Sequence, residues 1–189
     1  MTPGWPARWR VRAGYPVALC FLVLASPTAT TLAAGAAVAA LGLFVRAAAA
    51  GHLHKHEQLA TRGPYAFTRN PLYLGSAILA AGFGVAGASW IAAALVVVYF
   101  VAFYPAAMSR EEDELRTRYG AAFEDYARRV PLFWPRLLPS APPADSASVS
   151  PAADAFSWPQ FRRNREYQAA LGAIVGLAVL AAKMFWQRG

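Results

Sequence analysis

Cysteine is almost absent from the 189 residues. Cys20 stands alone, which excludes an internal disulfide and a thiolate metal cluster. Charge is scarce as well: charged residues make up 15% of the chain and apolar residues 57%. A typical soluble domain holds roughly 25% charged and 45–50% apolar residues, so this composition takes a lipid bilayer as its solvent. Acids are the scarcer sign, 10 against 18 Lys and Arg, for a net charge of +8. The bases flank long apolar runs and do not cover one face, so the charge reads as a topology signal and no nucleic-acid partner is expected. Strand-like alternation and internal repeats are also missing. The three histidines, His52, His54 and His56, alternate, as an interfacial basic loop or a transition-metal clamp would. No other pattern demands a metal, and none is expected.

Five apolar runs are present, at about residues 15–25, 28–50, 72–87, 89–108 and 169–186. A helix needs roughly 20 apolar residues to cross the hydrocarbon core. The second and fourth runs qualify, the third and fifth lie near the lower limit, and the first falls short. Arg8, Arg10 and Arg12 ahead of the first run also give it the look of a signal peptide. The fold class expected is all-α: a multi-span integral membrane bundle of about five helices with a cytoplasmic cofactor pocket. It divides into an N-terminal membrane hairpin (1–50), a core (51–137), a Pro/Ala/Ser linker (138–157), and an interfacial segment with a C-terminal membrane helix (158–189). The turns at residues 26–31 and 87–89 carry no charge. Nearly all bases lie in the N-terminus, in 52–70 and in 109–165, which the positive-inside rule assigns to the cytoplasm. Phe156, Trp158 and Phe161 followed by Arg162, Arg163 and Arg165 suit a membrane interface.

Gly82, Gly84 and Gly87 satisfy G-x-G-x-x-G, but inside an apolar run with no preceding strand. Small residues there are expected to let membrane helices approach closely.

Two polar segments carry chemistry. In the first, Gly63-Pro64 marks a turn and Pro71 can begin a helix. Arg69 then sits just ahead of a helix N-terminus, where free N–H groups and partial positive charge would hold a carboxylate. An ordinary helix start with an interfacial Arg fits equally well. The second segment opens Arg110-Glu111-Glu112-Asp113-Glu114-Leu115 and ends Arg128-Arg129-Val130-Pro131. Four acids at the C-terminal end of a membrane helix oppose its dipole, and a cationic partner would offset this. Alternatively the helix continues into solvent, with Glu112 and Arg116 as an i,i+4 pair.

The first segment resembles the signature of the isoprenylcysteine carboxyl methyltransferase family, in which Gly-x-Tyr leads into Arg-His-Pro-x-Tyr-x-Gly. Here those positions are Gly63, Tyr65, Arg69, Pro71, Tyr73 and Gly75. The second resembles the family's closing signature at Glu111, Glu112, Leu115, Tyr119-Gly120, Tyr126 and Arg129-Val130-Pro131. The resemblance covers residues 59–137. It implies an S-adenosylmethionine site of Glu57, Gln58, Leu59, Ala60 and Tyr65, then Asn70, Pro71, Leu72 and Tyr73, completed by Glu111. Arg110, Arg129 and Glu112 become the catalytic candidates at the reaction mouth. The implied partners are membrane lipids and a lipophilic or lipid acceptor.

Three positions depart from that pattern. Asn70 replaces a His, keeping hydrogen-bonding capacity but not titration near neutral pH. Glu57 stands where many members have His. Ala107 stands where eukaryotic members place a substrate-handling Arg. Methyl transfer is an in-line displacement that needs position and electrostatics. A carboxylate acceptor needs an Arg to orient it and no general base. Two other classes fit the hydropathy: an NADPH-dependent sterol-reductase-like enzyme, and a non-enzymatic membrane adaptor or transporter. Transporters usually bury polar groups at mid-membrane, whereas these span centres are nearly all Ala, Val, Leu and Gly.

Overall fold

Small residues at helical spacing bring two helices into backbone contact, and the rest of the molecule assembles on that pair. The structure, a computed structural model, describes residues 5–54, 58–140 and 156–187, with side chains from residue 12 onward. Its helices are α1 (Trp5–Leu24), α2 (Ala29–His52), α3 (Pro71–Gly87), α4 (Trp90–Tyr119), α5 (Ala121–Arg129), α6 (Trp158–Arg163) and α7 (Tyr167–Trp186). One 3₁₀ turn, Gly63–Ala66, precedes α3. The described residues contain no strand. The linker expected at 138–157 falls largely outside the described residues.

Gly35, Ala39 and Gly42 of α2 face Gly75, Gly82 and Ala86 of α3. A Cβ on Gly42 would stand 2.5 Å from the Leu79 nitrogen, and one on Gly82 2.5 Å from the Ala39 nitrogen. Only hydrogen fits at these crossings, which is how small residues drive association where lipid removes the hydrophobic force. The rejected dinucleotide pattern therefore has a packing origin. Gly82 meets α2, Gly87 lies under the Phe21 ring, and Gly84 faces Ala93 of α4.

Three helices are long and apolar enough to cross a membrane: α2, α4 and α7. Among the described side chains the apolar stretch of α1 covers residues 12–24, and α3 has 17 residues. Length and composition thus give three spans where five apolar runs were expected. The last helix qualifies outright; α1 packs against α4, and α3 against α2. This is an integral membrane protein.

The two uncharged turns lie side by side at one end of the bundle. Ser26 N–H donates to the Gly87 carbonyl at 2.7 Å. Thr28 and Thr31 form a capping box that starts α2, and Ser89 caps α4. At the same end the Lys183 ammonium donates to the carbonyls of Leu22 (2.6 Å) and Val23 (2.7 Å). These are among the last carbonyls of α1, which have no partner within their own helix. The apolar core beneath is Phe21, Ala25, Ala86, Ala92 and Leu180. Polar and charged side chains gather at the opposite end.

Candidate functional site

At the polar end, two segments far apart in sequence are laced together through their backbones. Arg69 N–H donates to the Pro131 carbonyl (2.9 Å), Arg136 N–H to Phe67 (3.0 Å) and Ser140 N–H to Ala66 (2.9 Å). Buried side chains continue the seam. Thr68 Oγ1 donates to the Phe133 carbonyl at 2.9 Å, and Asn70 Nδ2 to the Leu132 carbonyl at 3.0 Å. These bonds satisfy a backbone that has left regular structure, so their partners cannot be lost cheaply.

A small core sits beside the seam. Phe123, Tyr126 and Val130 are buried, with Leu59, Leu115 and Tyr119 packed around them. Gly120 makes this possible: its φ of +50° breaks α4 from α5 so that α5 can fold back. The Tyr126 hydroxyl donates to the Tyr65 carbonyl at 2.8 Å. Burial, then the nearby Glu111 carboxylate, pushes the Tyr65 phenol well above its ordinary range. Burial also raises Tyr126. Both rings stay neutral through the physiological range.

The acids of the second segment do not lie at a helix end, because α4 continues to Tyr119. Three of the four pair with an arginine. Glu112 pairs with Arg69 of the first segment, both mostly buried. Asp113 takes Arg116 (3.2 Å) and Glu114 takes Arg110 (3.1 Å). The expected Glu112–Arg116 pair is therefore replaced: Arg116 turns to Asp113 and to Glu124 at 2.6 Å, leaving Glu112 for Arg69. The partner invoked to offset the acids is, for Glu112, an arginine of the chain itself. Arg69 Nε remains buried with no hydrogen-bond partner.

A second ionic group lies behind the start of α3. Arg46, near the end of α2, pairs through Nε with Glu166, and its Nη1 donates to Ser76 Oγ and to the Leu72 carbonyl (3.3 Å). Gly75 leaves room for it; a Cβ there would stand 2.6 Å from Arg46 Cγ. Glu166 is 8% exposed and lies immediately before α7.

The expected site residues distribute as follows. Tyr65, Asn70 and Pro71 are buried at the head of α3, with Leu72 and Tyr73 half-buried beside them. Tyr73 meets the Tyr104 ring edge-on, centroids 5.6 Å apart. Leu59 and Ala60 are half-buried, and Gln58 and Glu111 are exposed. Glu57 lies outside the described residues. Arg110 and Arg129 are each held by an acid one turn away, Glu114 and Asp125, on their own helices. Sequence reasoning missed Arg46 as a site residue, and Glu166 with it. The signal was present: a lone Arg inside a membrane-length apolar run implies a buried partner.

The described part of the chain is thus a helical membrane protein with a polar site at one end, built from the two motif segments. The phospholipid methyltransferase family model matches residues 28–122, half of the chain. The chain belongs to that family of membrane methyltransferases. It is 42% identical over 83 residues to the nickel-cobalt-cadmium resistance protein NccN of Alcaligenes xylosoxydans xylosoxydans, covering 44% of this chain and 38% of that protein. It is 37% identical over 83 residues to the cobalt-zinc-cadmium resistance protein CzcN of Cupriavidus metallidurans, with the same coverage, 44% and 38%. It is 32% identical over 83 residues to the mouse delta(14)-sterol reductase TM7SF2, covering 43% of this chain and 19% of the reductase. The matched stretch therefore spans well under half the length of each relative. No solved structure matches the chain.

Proposed function

We propose that this protein is a multi-pass, S-adenosylmethionine-dependent methyltransferase whose polar end faces the cytoplasm and whose acceptor is lipophilic. The observation that carries the reading is the joining of the two motif segments, which puts Tyr65, Arg69 and the head of α3 against Glu111 and Glu112 of α4. The donor set fits the cofactor. Arg69 Nε is a buried donor without a partner, suited to a carboxylate. Glu111 is an exposed acceptor suited to an ammonium group or ribose hydroxyls.

S-adenosylmethionine, held by the residues around Tyr65, Arg69 and Glu111, would supply an electrophilic methyl group for in-line transfer to the acceptor. The chain's contribution is binding and orientation. Tyr65 and Tyr126 remain neutral and fix the 3₁₀ turn against α5. Arg69 and Glu112 hold the approach between α3 and α4. Arg110 and Arg129, at the rim, are the groups that orient an anionic acceptor, and a carboxylate acceptor needs no base.

Incubating the reconstituted full chain with methyl-tritiated S-adenosylmethionine and a membrane lipid extract tests this. Label is expected in the organic-soluble fraction and lost with Glu111→Ala. Label confined to the aqueous phase would contradict a lipophilic acceptor.

A further inference from the structure

Arg46 and Glu166 form a mostly buried ion pair, and one half of it comes from outside the family match. Residues 28–122 carry that match. Glu166 follows it by more than forty residues and enters from the head of α7. The buried carboxylate accepts from Arg46 Nε, which frees Nη1 to bind the Leu72 carbonyl at 3.3 Å and Ser76 Oγ. Ser76 Oγ in turn donates to the Leu72 carbonyl at 2.8 Å. Two side-chain donors, Arg46 Nη1 and Ser76 Oγ, therefore converge on one carbonyl in the first turn of α3. That turn carries Pro71, Leu72 and Tyr73, and ends at Gly75, whose missing side chain makes way for the Arg46 stem.

From this geometry we infer that Glu166 is a positioning residue: acting through Arg46, it fixes the first turn of α3 and so shapes the cofactor site from the C-terminal helix. The inference rests on the methyltransferase reading for its cofactor part. A free arginine could point its fork along several paths. A carboxylate behind it selects one, because the planar guanidinium cannot rotate one donor without moving the others. The α6 segment holds the carboxylate in register. Asn164 Nδ2 donates to the carbonyls of Ala50 (2.8 Å) and Leu53 (2.9 Å) at the end of α2. Ser157 N–H donates to the Gly51 carbonyl at 3.1 Å. The C-terminal part is thus tied to the end of α2 on both sides of α6, and does more than anchor the chain.

Three measurements on the detergent-purified full chain test it, the last of them the thermal midpoint, which Glu166→Gln is expected to lower. The first is amide hydrogen exchange at residues 74–77, which needs no ligand. The second is the dissociation constant for S-adenosylmethionine. Glu166→Gln is expected to speed exchange at 74–77 about tenfold and weaken binding at least tenfold, with residues 123–130 of α5 unchanged; Glu166→Asp falls between. Arg46→Met/Glu166→Met, which removes both charges, is expected to recover the thermal midpoint but not the affinity. Recovery of both together would overturn the inference and leave a purely structural pair. So would unchanged exchange and binding in Glu166→Gln. Absence of binding by the unsubstituted chain would overturn the methyltransferase reading, and this inference with it.

Discussion

The hydroxyl of Tyr126 reaches across from α5 to the carbonyl of Tyr65, 2.8 Å away, and joins the two halves of the site with one buried hydrogen bond. Replacing Tyr126 by Phe keeps the ring among Phe123, Val130 and Leu59 but leaves that carbonyl without its partner. A loss of about 1–3 kcal/mol is expected for such an unmet buried acceptor. It reads as a thermal midpoint lowered by several degrees, with helix content by circular dichroism unchanged. An unchanged midpoint would show that water replaces the hydroxyl.

The same two tyrosines set an alkaline limit. Burial raises both phenols in the folded protein, whereas an unfolded tyrosine ionises near about 10. Below that value both states hold their protons and stability is flat. Above it the unfolded chain loses protons that the folded chain keeps, so unfolding gains up to about 1.4 kcal/mol per pH unit for each tyrosine. The stability the neutral phenols contribute is fully present below about pH 10 and fades as pH rises toward their folded values. A thermal midpoint steady from about pH 8 to about 10 and falling thereafter is expected, with a shallower fall in Tyr126→Phe.

Arg69 and Glu112 bridge the motif segments with side chains only 15% and 17% exposed. Removing one partner strands the other. Arg69→Met is expected to cost up to about 3 kcal/mol, the low end for buried pairs because some solvent remains. Arg69→Met/Glu112→Leu is expected to recover most of that stability while losing cofactor affinity. Chemical denaturation of the two variants checks the ordering.

The α2–α3 crossing makes a sharper stability prediction. Gly42→Val would drive side-chain atoms into the backbone of Leu79, whereas a Cβ at Gly84 meets Ala93 Cβ at an ordinary 3.6 Å. Overpacking typically costs about 1–3 kcal/mol, and rigid backbone puts Gly42→Val at the top of that range. Gly84→Ala is expected to be nearly silent. Recovery of monodisperse protein from detergent should separate the two.

Hydropathy and turn chemistry revealed the five apolar helices but not α5 or α6, along with the uncharged turn at 87–89 and the packing role of Gly82. Of the five apolar runs they marked, length and composition qualify three of the resulting helices, α2, α4 and α7, as candidate spans. The motif residues Tyr65, Arg69 and Glu112 were singled out by the family resemblance. Their pairing was not: Glu112 looked one helical turn from Arg116, and only the fold shows Arg69 closer. Glu166 left no local mark, since its partner Arg46 is 120 residues away. Arg110 and Arg129 were singled out by the resemblance, and each turns to an acid of its own helix.

The central claim is that joining the two motif segments creates an S-adenosylmethionine site. The direct test is calorimetric titration of S-adenosylmethionine into the detergent-purified chain, with Glu111→Ala as the comparison and NADPH as the competing ligand. Saturable binding that is lost in Glu111→Ala, with none for NADPH, is the expected result. No binding to well-folded protein, or binding of NADPH in its place, would contradict it.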